Sequence, residues 1–213
     1  MTKLLLVRHG ESEANRHDLF AGFYDAELEE QGLRQAELTA EFISENYNVH
    51  KVYASDLKRA YKTGQAIAAR CSVEIIPEQG LREISGGEWE GVHFPSLKEL
   101  YPQEFGLWLT DIGNAGCPGG ETVKDFANRV MSTMEKIAKL HDGQTIVVAT
   151  HATPIRVVHT MLLHGDIAAM RDVSWVSNAS VTEIQYDLGK WQMIRSGYDS
   201  HLADLRTYLN GNI

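Results

Sequence analysis

Cysteine is scarce in this chain of 213 residues: only Cys71 and Cys117 occur, far apart and outside any CxxC spacing, so neither a disulfide framework nor a cysteine-based zinc site is encoded. Positive charge is in deficit as well. Lys and Arg number 20 against 29 Asp and Glu, and a net charge of −9 argues against nucleic acid or an anionic membrane surface as partner. Long apolar runs are missing too. Leu4-Leu5-Leu6-Val7 is cut short by Arg8, far below the length of a secretory h-region, and nothing approaches the ~20 residues that span a bilayer. The expected setting is a reducing cytoplasm, with no membrane contact. Neither GxGxxG nor GxxxxGK[ST] is present to mark a nucleotide loop, and HExxH is absent. His159 and His164 are five residues apart, a poor helical pair for one ion, so no metal and no cofactor is expected.

What is present is a hydrophobic content of 43%, enough to bury the core of one domain with a modest cap. Lys3 to Val7 reads as a strand buried on both faces. Leu33, Ala36, Ala40 and Ile43 recur at helical spacing behind Glu27, Glu29 and Glu30. Val52-Tyr53-Ala54 reads as a second strand, Ser55 as an N-cap, and Leu57, Ala60, Gly64, Ile67 and Cys71 as a helix face. Val73 to Ile76 is a further short β run. The stretch from Leu81 to Pro118 loses period and gathers glycine, proline and aromatic residues, and residues 84–119 are expected to form an excursion over the active face. Val123, Phe126, Val130, Met134 and Ile137 give the cleanest helical stripe. Thr145 to Ala149 reads as a buried strand, and Thr153-Pro154 as N-cap and first residue of another helix. Val181–Tyr186 and Trp191–Ile194, joined through Asp187 to Lys190, read as a hairpin at the sheet edge. Strands alternating with helices predict a single domain over residues 1–213, a three-layer α/β/α sandwich with a mostly parallel central sheet.

Unusual chemistry collects where predicted strands end: Arg8-His9-Gly10, Ser55 with Arg59 a turn into its helix, and Thr150-His151. In a parallel sheet those carboxyl ends share an edge where ligands bind. Two guanidiniums, two imidazoles and helix N-termini would form an electropositive pocket in an acidic protein, and phosphate is its natural occupant. Singly, each residue also has a plain structural role open to it. Arg59 can pair with Asp56, His151 can cap a helix beside Thr153, Asn15 can cap a loop, and Glu83, Glu88 and Glu90 can be solvated acids. Trp89, Phe94, Phe105 and Trp108 can line a substrate mouth or serve as local core.

Taken together, Leu6-Val7-Arg8-His9-Gly10-Glu11-Ser12 resembles the opening signature of the histidine phosphatase superfamily, the phosphoglycerate mutase-like proteins. Further segments resemble that family in the same order. They are Leu28-x-x-x-Gly32-x-x-Gln35-Ala36, Ala54 to Thr63, Leu81-Arg82-Glu83, Pro118-Gly119-Gly120-Glu121, Val147 to His151, Asn178 to Thr182, and Asp199 to Leu202. The resemblance implies a phosphoglycerate mutase-like fold and covers essentially the whole chain. It makes His9 the nucleophile that becomes a phosphohistidine, Glu83 the proton donor, and Arg8, Arg59 and a protonated His151 the phosphate pocket. Asn15 and Gly22 match phosphate-contacting positions of the mutases.

The family divides between phosphatases and mutases. Asn15 to Asp25 is close to the mutase version of its loop. Ala21, Gly86 and Ala152-Thr153 depart from it, and residues 87–119 lack the long basic insertion that gathers a second acidic group on the mutase substrate. The expectation is therefore a metal-independent phosphomonoester hydrolase acting on a small phosphorylated substrate. Phosphoryl transfer between hydroxyls is the alternative, and a phospho-ligand-binding pseudoenzyme is a third.

Overall fold

The computed structural model describes residues 1–207. In chain order the elements are β1 (Thr2–Arg8), α1 (Glu13–Arg16), α2 (Glu30–Asn46), β2 (Lys51–Ala54), α3 (Lys58–Cys71), β3 (Ile75–Pro77), α4 (Leu97–Leu100), α5 (Pro102–Thr110), α6 (Val123–Leu140), β4 (Thr145–Thr150), α7 (Ala152–His164), β5 (Val181–Asp187) and β6 (Lys190–Tyr198). The strands form one sheet in the order β3-β2-β4-β1-β5-β6. β3, β2, β4 and β1 run parallel, while β5 is antiparallel to β1 and makes a hairpin with β6.

Alternation along β1 sorts its side chains to two cores, as the period of two demands. Leu5 and Val7 join Ala40 and Ile43 of α2 and Ile67 and Ala68 of α3 on one face. Leu4 and Leu6 join Phe126, Val130, Met134 and Ile137 of α6 and Ile155 and Val158 of α7 on the other. The three-layer α/β/α sandwich with a mostly parallel sheet is thus the observed architecture. No helix among the described residues is long and apolar enough to cross a membrane.

Register positions the site. Arg8 lies opposite Thr150 and Ala54 opposite Ala149, so β1, β4 and β2 end level with one another. The ladder continues one residue further on both sides of β4: the His9 N–H donates to the Thr150 carbonyl (3.0 Å) and the Ser55 N–H to the Ala149 carbonyl (2.9 Å). Gly10 and Gly32 then let the loop after β1 lie directly on α2. A Cβ on Gly10 would sit 2.2 Å from the Gly32 carbonyl oxygen, and one on Gly32 would sit 1.9 Å from that of Glu11.

Several local expectations shift. Leu57 rather than Ser55 is the N-cap of α3, and the Ser55 hydroxyl two residues earlier accepts the Leu57 N–H (3.4 Å) and pairs with His151 (2.8 Å). His151 is the N-cap of α7, so Thr153 and Pro154 fall at its second and third residues, where a missing N–H still costs no helical bond. Leu33 is 45% exposed, since close packing of Gly32 on the β1 loop turns Gln35, Ala36, Thr39 and Ala40 inward instead. The third strand begins at Ile75, after Ser72 has closed α3 with φ +55°. The hairpin turns on Leu188 (φ +48°) and Gly189 (φ +80°), positive angles at both turn residues as a tight two-residue loop requires, and β6 extends to Tyr198.

Between Leu81 and Pro118 the chain winds through 3-10 turns, α4 and α5. Phe105 and Trp108 of α5 are buried while Leu107 and Leu109 are exposed, and apolar residues on both faces are what hid the helix from the sequence pattern. Trp89 and Phe105 prove to be core residues, packed edge to face (6.0 Å).

Candidate active site

Beyond the level strand ends lies a cleft of about 590 Å³, with Arg8, His9, Asn15, Gly22, Arg59 and Glu83 among its lining residues. His9, at the end of β1, is 4% exposed. Its Nδ1 lies 2.7 Å from the Gly10 carbonyl oxygen, which only accepts, so Nδ1 carries the proton and Nε2 keeps the lone pair of the neutral ring. Burial, with Arg59 and Arg8 nearby, holds the His9 pKa well below 6.5 and the ring neutral at physiological pH. The His9 carbonyl is fixed from the other side by the Ala179 N–H and the Asn178 Nδ2, each at 3.1 Å.

Arg8 and Arg59 are each 1% exposed. Arg8 donates to the Val176 carbonyl (2.6 Å), and Arg59 to the carbonyls of Tyr24 and Gly22 (2.9 Å each). Burial pulls both to a pKa of about 10, which leaves them cationic at neutral pH. Asp56 instead forms a bidentate pair with Arg82 (2.6 Å for both bonds), so an Arg59–Asp56 ion pair is excluded. The remaining Nε groups of Arg8 and Arg59 are buried without a hydrogen-bond partner, as is His151 Nδ1. Two orphaned guanidinium donors on one cleft fit an anion with several acceptor oxygens, since a buried polar group left unpaired is costly.

His151 lies behind His9 rather than in the cleft wall, with ring centroids 5.2 Å apart and edge to face. Its Nε2 is 2.8 Å from the Ser55 hydroxyl. Burial, then Arg59 and His9, push its pKa well below 6.5, so the ring is neutral where the sequence led us to expect a protonated imidazolium. The cause is three-dimensional: a fully buried ring beside two guanidiniums gains nothing from a third positive charge.

Glu83 faces this group from the segment after β3. Its carboxylate accepts from the Ile84 N–H (2.8 Å) and the Thr153 N–H (3.3 Å), and burial outweighs those bonds to raise its pKa above the usual carboxylate value. The backbone here is clamped from α6. Arg129 donates to the carbonyls of Gly80 and Arg82 (3.1 Å each) and Glu83 (3.0 Å), and makes a bidentate pair with Glu121 (2.8 and 2.7 Å). Glu121 in turn accepts the Ser85 N–H (2.8 Å). The sequence reading missed Arg129 and gave Glu121 no role, for no spacing rule ties a residue eight positions further along a helix to a distant loop.

Asn15 caps its loop and also faces the cleft. Its Oδ1 closes a capping box with Ser12 at the start of α1 and accepts Asn178 Nδ2 (3.1 Å), while the residue also lines the cleft. Gly22, at φ +49°, supplies the carbonyl that orients Arg59. Glu90 ties the same loop down by accepting the N–H groups of Phe23 and Gly86 (3.0 Å each). Phe94, Trp108 and Trp175 form the outer wall with Ala152 and Thr153, and Trp175 had escaped notice because it precedes the closing segments in an aperiodic stretch. Among the described residues no group of three or more His, Cys, Asp and Glu could hold a metal ion.

Comparison with known proteins finds relatives along nearly the whole chain. Phosphoserine phosphatase 1 of Hydrogenobacter thermophilus is 33% identical over 204 residues, which is 96% of each chain. Among solved structures, YhfR of Bacillus stearothermophilus superposes with a TM-score of 0.90 at 25% identity, covering 95% of this chain and 100% of that one. A phosphoserine phosphatase variant from Entamoeba histolytica, solved in complex with phosphoserine, gives a TM-score of 0.80 at 29% identity over 95% of this chain and 100% of its own. The model of the histidine phosphatase superfamily, branch 1, matches residues 4–199, and the chain belongs to that superfamily as an enzyme of the phosphatase class.

Proposed function

We propose that the chain hydrolyses small phosphomonoesters through a phosphohistidine on His9, without a metal ion, in a reducing cytoplasm. The observation that carries this reading is the Nδ1–H bond from His9 to the Gly10 carbonyl, which fixes the tautomer and frees Nε2 as nucleophile. Nε2 attacks phosphorus in line, the P–O ester bond breaks, and Glu83 in its acid form gives the leaving alkoxide a proton. The resulting carboxylate takes a proton from water, whose oxygen attacks phosphorus. The P–N bond then breaks, phosphate leaves and Glu83 is again an acid. Arg8 and Arg59 balance charge on the equatorial oxygens, with Asn15 supplying a further contact and His151 packed against the ring of His9. The catalytic unit is one domain, over which residues 84–119 form the cover.

Hydrolysis is favoured over transfer to a second hydroxyl by the departing residues. A side chain at position 86 would collide with Phe20, a Cβ on Gly86 falling 2.7 Å from the Phe20 ring, so the mutase tyrosine has no room. Ala21, Ala152 and Thr153 offer little to grip a reorienting intermediate, and a mutase must hold that intermediate away from water. Phosphoserine heads the substrate panel, because it is named for the relatives above. The test measures two activities on one preparation: phosphate released from phosphoserine and other monoesters, and interconversion of 3- and 2-phosphoglycerate with bisphosphoglycerate as primer. Phosphate release should dominate. Isomerisation faster by orders of magnitude would make the enzyme a mutase, and no p-nitrophenolate from p-nitrophenyl phosphate in the presence of a chelator would make it a binding protein.

A further inference from the structure

A second cavity, of about 390 Å³, is lined by Trp108, Leu109, Ile112, Arg156, Arg171 and Trp175, and shares Trp108 and Trp175 with the catalytic cleft. Arg156 projects from α7 and is only 8% exposed. Its Nε–H donates to the Val173 carbonyl (2.7 Å) and its guanidinium stacks on the Trp175 ring at 4.1 Å. Those contacts fix the plane of the group while supplying no counter-charge. No carboxylate pairs with it among the described residues, although the chain carries 29 acidic side chains. Burial alone draws its pKa down to about 10. Arg171, exposed on the 3-10 turn Ile167–Asp172, lines the same cavity and likewise has no ion pair among the described residues. A buried guanidinium without a counter-ion is expensive to maintain, and a fixed planar fork beside a second cation matches a carboxylate.

We infer that this cavity is an anion subsite that takes the carboxylate of the substrate whose phosphate lies at Arg8 and Arg59, so that the preferred substrates are phosphorylated acids. The inference rests on the phosphatase reading and deepens it. It also gives the chain a means of recognising a second acidic group without the basic insertion of the mutases.

The experiment compares wild type, Arg171→Ala and Arg156→Met on p-nitrophenyl phosphate, which has no carboxylate, and on phosphoserine, 3-phosphoglycerate and 6-phosphogluconate, which carry one at increasing reach. Arg171→Ala should raise KM for the preferred phosphorylated acid about ten-fold, the effect of losing one charge-assisted contact, with kcat within about two-fold and p-nitrophenyl phosphate unaffected. Arg156→Met, which keeps an unbranched side chain against Trp175 but removes the charge and the bond to Val173, should move KM in the same direction. Equal changes on all substrates, or none on any acid, would overturn the inference. So would a change in p-nitrophenyl phosphate turnover that free malonate causes in wild type but not in Arg171→Ala, because the site would then serve free anions. Absence of p-nitrophenyl phosphate hydrolysis by wild type would instead be a failure of the phosphatase reading.

Discussion

Arg8, His9, Arg59 and His151 stand at or just beyond the level ends of β1, β2 and β4, whereas Phe94, Trp108 and Trp175 reach the same cleft from short helices and turns that pair with no strand. The first group inherits its positions from sheet register, which a single-residue slip would ruin. The second depends on packing among aromatic side chains, such as Phe94 against Phe105 at 5.1 Å. Changes to the strand-end group should therefore act on the chemical step, and changes to the wall on which molecule is held.

The largest effect expected is from His9→Ala, which should lower kcat about 10⁴-fold or more while circular dichroism stays unchanged. Activity within ten-fold of wild type would show that the register-built group does not hold the nucleophile. Glu83→Gln comes next, with a loss of about 10² to 10³ on alkyl phosphates. With p-nitrophenyl phosphate, whose leaving group needs no proton, the same variant should give a burst of one nitrophenolate per active site and then stall, because water is no longer activated. Steady turnover without a burst would remove Glu83 from the second step. The raised Glu83 pKa adds that turnover of alkyl phosphates should fall as pH rises through that value, since the proton donor is lost.

A smaller effect concerns stability in the strand-end half. His159 is buried against Thr182 with a pKa lowered to about 4 by burial. Below the unfolded-state value near 6.5 the unfolded chain takes up a proton that the folded chain does not, so stability is complete above that pH and falls as pH drops toward 4. Between pH 7.5 and 5 this one residue should cost about 2 kcal/mol. His159→Gln should flatten the acid dependence of Tm, and an unchanged acid slope would contradict the assignment. Smallest is the wall: Phe94→Ala should shift KM by about three- to ten-fold in a substrate-dependent way and leave kcat within about two-fold. A uniform fall in kcat would erase the distinction between the two regions.

The same distinction marks what could be read in advance. β1, β4 and α6 are legible because each is apolar with an unbroken period; Arg8, His9 and His151 follow from where β1 and β4 stop, and Arg59 from the helix that opens after β2. The neutral state of His151 is not legible, because it depends on burial beneath His9 and on Arg59 lying close. The Arg129 clamp and the Asn178 bridge between His9 and Asn15 escape for a related reason: both are contacts across the fold with no periodic trace. α5 escapes because its apolar residues face both the core and solvent.

Acid-quenching the enzyme during turnover of phosphoserine and locating the phosphoryl group by mass spectrometry tests the central claim most directly. Phosphate on His9, absent from His9→Ala and accumulating in Glu83→Gln when p-nitrophenyl phosphate is the donor, is the result this account predicts. A phosphoryl group on a serine, threonine or aspartate, or a nitrophenolate burst from p-nitrophenyl phosphate with no phosphorylated enzyme in Glu83→Gln, would contradict it.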